Sequence, residues 1–124
     1  MKRKNNMEIS KFKGCLLGTA IGDALGAERE GSFDISEIRD IGSRYTDDTA
    51  MMIGVAESLI ICKGVNGDDM AERFIHNYLR EPWRGYGLGP PRIFNMILRN
   101  GRKWDDILDR ELYPGGSFGN GAAM

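Results

Sequence analysis

The chain has 124 residues, 41% of them hydrophobic and 28% charged, with 17 basic against 18 acidic side chains and a net charge of −1. This length bounds one small domain, and the near-neutral balance gives no electrostatic case for nucleic acid or an anionic membrane as a partner. No apolar run reaches the roughly 18 residues of a membrane span, and no apolar signal core directly follows the basic residues 1–6, so a cytoplasmic protein is expected.

Residues 1–8 read as a flexible basic N-terminus. Residues 9–27 predict a first helix, with Leu17, Ile21 and Leu25 on one face and Gly14, Gly18, Gly22 and Gly26 on another. Each glycine inside a helix costs about 0.5–1 kcal/mol relative to alanine, so close helix–helix packing along the glycine stripe is expected to compensate. Asp23 is a carboxylate among glycines in an apolar helix, and such a group must be paired or stand near a site. Residues 28–45 are polar and have no sustained period. They predict a long connection with a short helical turn at 36–39, and loops of this length in a small domain often carry function.

A second helix is predicted over 46–63, with Gly64 just beyond its end and Met52, Val55, Leu59 and Ile60 as its core face. It opens on Thr46-Asp47-Asp48-Thr49, two adjacent carboxylates between two hydroxyls. An oxygen-only cluster of this kind suits a hard divalent cation. The same residue types cap helices and offset the helix dipole, and on these four residues alone both readings stand.

A third helix over 70–79, capped by Asp68 or Asp69, would bury Met70, Phe74, Ile75, Tyr78 and Leu79, and Pro82 would stop it. A Gly/Pro/aromatic loop leads to a fourth helix over 91–100, with Ile93, Phe94, Ile97 and Leu98 inward and Gly101 at its end. A fifth, over 104–112, precedes a glycine-rich loop over 113–121. No segment alternates as a strand does, so the expected fold is all-α. Cys15 and Cys62 lie in apolar helical patterns without a CxxC partner and read as reduced core thiols. His76 reads as a surface or half-buried residue and Trp83 and Trp104 as packing anchors. Asp68, Asp69, Asp105, Asp106 and Asp109 read as helix-start or surface acids.

Four segments in order carry a resemblance: residues 14–26 ending in Gly22-Asp23-Ala24-Leu25-Gly26; Tyr45-Thr46-Asp47-Asp48-Thr49; Arg84-Gly85-Tyr86-Gly87; and Gly116-Ser117-Phe118-Gly119-Asn120-Gly121-Ala122-Ala123-Met124. From about Phe12 to the last residue the chain resembles the N-terminal part of the ADP-ribosylglycohydrolase family, which includes the dinitrogenase-reductase-activating glycohydrolases. The resemblance implies an orthogonal multi-helix fold, a binuclear Mg²⁺ or Mn²⁺ centre, and cleavage of the glycosidic bond between ADP-ribose and a protein side chain or small acceptor. It matches Thr46, Asp47 and Asp48 to the first metal-ligand cluster. It matches Glu30 to a catalytic acid/base, a role for which Glu28 competes. Ser117, Phe118, Gly119 and Asn120 match an ADP-ribose-binding loop, and Gly85, Tyr86 and Gly87 a second substrate-lining loop. Asp23 falls close to the metals as a supporting group and not a direct ligand. The chemistry is coherent, because two metals can hold ribose hydroxyls and orient a water and a glycine-rich loop can offer backbone N–H groups to a diphosphate.

The family's second ligand cluster, an Asp-x-Asp-Ser/Thr motif far downstream in much longer chains, does not occur here. The expectation is therefore a truncated fold, with residues 1–124 as the N-terminal portion of a single domain, little activity alone and apolar faces left exposed, among them Ile93, Phe94, Ile97 and Leu98. Its partners would be an ADP-ribosylated protein or an ADP-ribose-containing small molecule, together with a complementary C-terminal chain. A non-catalytic ADP-ribose-binding or assembly protein and one half of a split enzyme are the alternatives.

Overall fold

The computed structural model describes residues 2–27, 29–30, 44–107, 115–116 and 119–120, with side chains from Ile9 onward. Five helices occur among these residues: α1 (Lys2–Gly26), α2 (Asp47–Cys62), α3 (Gly67–Arg80), α4 (Gly89–Asn100) and α5 (Trp104–Ile107). No strand occurs among them, and the fold is all-α. The turn expected at 36–39, Glu28, and the fifth helix beyond Ile107 with Asp109 lie outside the described residues. No described helix is long and apolar enough to cross a membrane.

α1 begins at Lys2 and not at Ile9. Residues 2–8 contain neither glycine nor proline, so nothing breaks the helix, and the basic stretch forms its first turns instead of a loose terminus. The glycine stripe does not do what its spacing predicts. Among the described residues, a Cβ at Gly14, Gly18, Gly22 or Gly26 would meet no atom within 4 Å. The apolar face is open as well, with Phe12 71%, Leu17 63% and Ile21 48% exposed. Among the described side chains of α1, Ala24 alone is buried.

Close packing by small residues falls on α2 instead. Ala50, Gly54 and Ser58, spaced i, i+4, i+8, are buried against α3. A Cβ at Gly54 would stand 2.9 Å from a ring carbon of Phe74 and 3.4 Å from Arg73 Cβ. Asn77 Nδ2 donates to the Ala50 carbonyl at 3.0 Å and pins the pair. This approach rotates the bulkier side of α2 outward. Met52 and Val55 are only half-buried, and Leu59 and Ile60 are 40% and 73% exposed, so the expected core face is corrected.

The two kinds of glycine should respond oppositely to alanine. Gly14→Ala or Gly18→Ala should stabilise the chain by about 0.5–1 kcal/mol, because open space surrounds the new methyl and the helix gains propensity. Gly54→Ala should destabilise it by about 1 kcal/mol net, because overpacking against Phe74 exceeds that gain. Urea midpoints followed by circular dichroism check both signs.

Asn66, and not Asp68 or Asp69, caps α3, its Oδ1 accepting from the N–H groups of both aspartates at 3.1 Å. The aspartates are thereby freed: Asp69 pairs with Arg73 at 3.2 Å and Asp68 accepts from Trp104 Nε1 at 2.8 Å. Trp104 also lies over Gly67, where a Cβ would stand 2.5 Å from its ring. Trp83, by contrast, is 70% exposed and is no packing anchor among the described residues. On α3 only Ile75 is buried and Leu79 is 60% exposed. Phe94 of α4 is covered by Tyr78 and Tyr86, with ring centroids 5.5 and 6.4 Å away, while Leu98 is 53% exposed. Cys15 is exposed and Cys62 half-buried, so neither is a core thiol.

Candidate active site

The site begins with Asp23, which α1 delivers to the N-terminal turn of α2. Asp23 accepts from Thr46 N at 2.8 Å, Thr46 Oγ1 at 2.6 Å, Thr49 N at 3.2 Å and Thr49 Oγ1. A helix start leaves N–H groups unpaired and carries partial positive charge. A carboxylate from a neighbouring helix answers both needs, which is the physical reason this charge is tolerated among glycines. Thr46 is the N-cap in extended backbone, and its own Oγ1 makes only a long contact with Asp48 N at 3.4 Å. Both capping and site geometry thus fall on Thr46.

Asp47 and Asp48 follow in the first turn. A cleft of about 560 Å³ opens at Asp48, lined by Thr19, Gly22, Asp23, Gly26, Ala27, Arg29, Glu30, Thr46, Asp48 and Asn120. Gly22 and Gly26 of α1 therefore help to make a cleft. Asn120 Nδ2 donates to both oxygens of Asp48, at 2.9 and 3.0 Å. Burial, and after it the charges of Asp48, Glu30 and Asp23, push the Asp47 carboxyl above its ordinary range, against a hydrogen bond from its own backbone.

That crowding of negative charge is the test of fit for a hard cation. The donors are all oxygen, their mutual repulsion is what a divalent ion would relieve, and Asp23 is already saturated by threonine donors and stands back as a support. Among the described residues no group of three Asp, Glu, His or Cys side chains is gathered tightly enough to hold an ion unaided. An ion here would draw also on Thr46 Oγ1 and on water or substrate oxygens.

The second loop meets the same turn. Asp47 N donates to the Arg84 carbonyl at 2.8 Å. Gly85 has φ +87°, and a Cβ there would lie 3.9 Å from Asp47 Oδ1. Gly87 is exposed. Tyr86 turns inward, edge-on to Tyr78 at 5.1 Å, and its buried hydroxyl has no hydrogen-bond partner among the described residues. Burial first, then the charge of Asp47, pushes that phenol up to about 12. Ser117 and Phe118 lie outside the described residues, so of their loop only Gly119 and Asn120 can be placed.

Sequence reasoning assigned Thr49 a place only in the oxygen cluster, and no role to Tyr45, Glu81 or Arg84, yet all four hold the turn together. The Glu81-x-x-Arg84 spacing at a helix end was the available signal for the last two.

An all-helical domain with an acidic cleft at a helix N-terminus, approached by two glycine-containing loops, is the class of molecule this geometry defines. A family model, ADP-ribosylglycohydrolase, matches residues 4–124, and the chain belongs to that family. It is 38% identical over 131 aligned positions to "ADP-ribosylhydrolase ARH3" of Xenopus tropicalis, the match covering 94% of this chain and 37% of that protein. Identity to the Homo sapiens protein of the same name is 33% over 138 positions, covering 94% and 38%. An uncharacterized protein of Archaeoglobus fulgidus is 31% identical over 104 positions, covering 72% and 34%. The chain spans a little over a third of the length of these curated relatives.

Proposed function

We propose that this chain carries the first ligand cluster and part of the substrate cleft of an ADP-ribosylglycohydrolase, which cleaves the glycosidic bond between ADP-ribose and a protein side chain or small acceptor. The observation that carries this reading is the convergence of Thr46, Asp47, Asp48, Glu30 and Asn120 about one turn and one cleft in a member of that family. Thr46, Asp47 and Asp48 would hold Mg²⁺ or Mn²⁺, which when bound supplies polarisation of ribose oxygens and a more acidic water. Asp23 keeps the turn in place, Asn120 orients the Asp48 carboxylate, and Gly85 leaves Asp47 unobstructed. Glu30, exposed on the rim of the cleft, is the group proposed to move the proton between water and leaving group. Gly85, Tyr86 and Gly87, with Ser117, Phe118, Gly119 and Asn120, are proposed to line the substrate. For Tyr86 that role is confined to backbone and ring edge, because its ring is committed to Tyr78 and Phe94. A cytoplasmic setting is proposed from the two free cysteines.

A second reading has its own support. The open apolar face of α1, with the coverage of little more than a third of each relative, favours a protein that works with further family polypeptide lying over that face. Hydrolysis through two metals needs both at roughly 3.5–4 Å separation, and one cluster is encoded here. The chain alone should therefore bind ADP-ribose in a Mn²⁺-dependent manner, measured by isothermal titration, and release little ADP-ribose from an ADP-ribosylated arginine or serine substrate. Binding indifferent to Mn²⁺ and to Asp47→Ala with Asp48→Ala would favour the non-catalytic binding protein. No binding at all would sink both readings.

A further inference from the structure

We infer that Arg84 is a positioning residue which ties the Asp47 carboxylate to the 85–87 loop; the inference rests on the reading of Asp47 as a cation ligand. The guanidinium is 14% exposed and serves three partners at once. Nε and Nη2 donate to the two oxygens of Glu81 at 3.0 and 2.9 Å. Nη1 donates to the Tyr45 carbonyl at 3.1 Å. Its Cζ lies over the Tyr45 ring, 3.6 Å from the centroid. The Tyr45 hydroxyl closes the circuit by donating to Glu81 Oε2 at 2.9 Å.

The consequence lies in which residues are gripped. Arg84 holds Tyr45 through its side chain and Asp47 through its own carbonyl, at 2.8 Å from the Asp47 N–H. Asp23 holds Thr46 and Thr49 through its carboxylate. The strand of chain entering α2 is thus clamped by two different elements at successive residues. That fixes the backbone from which the Asp47 carboxylate projects. Gly85 follows Arg84 directly, at a backbone conformation only glycine adopts easily, and stands beside Asp47 Oδ1. One residue therefore sets the distance between a ligand carboxylate and the loop facing it. Lysine cannot replace it, because a point charge offers no planar fork for a carboxylate, a carbonyl and a ring face together.

The test compares Arg84→Lys and the milder Tyr45→Phe with the unaltered chain, in three measurements: urea stability, hydrogen exchange of the Asp47 amide without metal, and Mn²⁺ affinity of the folded protein. The expected result for Arg84→Lys is Asp47 exchange faster by about tenfold while the Ile75 amide in the α2–α3 core is unchanged, and Mn²⁺ affinity weaker by about tenfold. Tyr45→Phe should move both in the same direction by less. A folded Arg84→Lys chain with unchanged Asp47 exchange and unchanged Mn²⁺ affinity overturns the inference. If Arg84→Lys does not fold, Tyr45→Phe decides by the same two readouts. If the unaltered chain binds no Mn²⁺, the cation reading fails, and the exchange measurement still decides whether Arg84 holds Asp47.

Discussion

Asp23→Ala should destabilise the chain by about 2–4 kcal/mol and release α1 from α2. Hydrogen bonds to a charged acceptor contribute roughly 1.5–3 kcal/mol each, and they do not add fully. Asp23 accepts four of them. Its loss would strand the N–H and hydroxyl of Thr49, which is only 3% exposed. Among the described residues little else on α1 can compensate, because its glycines meet no neighbour and Phe12, Leu17 and Ile21 are exposed. Asn at this position keeps one acceptor oxygen and should lose roughly half as much. The pH dependence follows from the sign of the shift. Burial pushes the Asp23 carboxyl upward, but the hydroxyl and amide bonds from Thr46 and Thr49 outweigh it and hold it below its ordinary value. A depressed folded pKa gives stability that is present above the unfolded pKa and lost as pH falls through the folded one. The α1–α2 junction should therefore weaken below about pH 4, and Asp23→Asn should flatten that acid limb. Urea titrations across this range check both effects.

Asp47→Asn should separate binding from stability. With the cation reading correct, Mn²⁺ affinity should fall by about 100-fold, since a charged donor is lost from a half-built oxygen set. The metal-free chain should be as stable as before, or more stable by about 0.5 kcal/mol, because the charge removed is buried among Asp48, Glu30 and Asp23. Asp48→Asn should weaken Mn²⁺ similarly and also alter the contact with Asn120. Asp47 has a raised folded pKa, so its protonation favours the fold: its contribution is full at low pH and is lost as pH rises through that pKa. It therefore opposes Asp23 in the acid range, and Asp47→Asn should steepen the acid loss. Isothermal titration with Mn²⁺ and urea midpoints at several pH values measure the two arms separately.

The parts of this molecule legible in the sequence were those set by local chemistry. Glycine at Gly101 ended α4 in left-handed backbone as expected, and Thr46-Asp47-Asp48 opened α2. Helical periodicity located every described helix. What the sequence did not disclose depended on which surfaces meet. Gly14, Gly18, Gly22 and Gly26 carry the same spacing as Ala50, Gly54 and Ser58, yet among the described residues only the latter set receives a neighbouring helix. Small-residue spacing states that approach is possible and leaves the partner open. The α3 cap went to Asn66 because the helix starts at Gly67, which puts Asp68 and Asp69 inside its first turn and leaves them to Trp104 and Arg73. Asp23 was readable as a charge needing partners, but Thr49 as one of them was not, because a contact between residues 26 apart has no sequence signature. The Tyr45–Glu81–Arg84 circuit joins three segments and could be seen only when folded.

A divalent cation seated at Thr46, Asp47 and Asp48 would stand beside the cleft lined by Glu30 and Asn120. The most direct measurement is paramagnetic broadening of backbone amide signals during titration of the unaltered chain with substoichiometric Mn²⁺. The amides of residues 46–49, Glu30, Gly85 and Asn120 should broaden first, and Asp47→Asn with Asp48→Asn should abolish the pattern. Broadening centred instead on the exposed acids Asp105 and Asp106, or unchanged by that double substitution, would contradict a cation seated there.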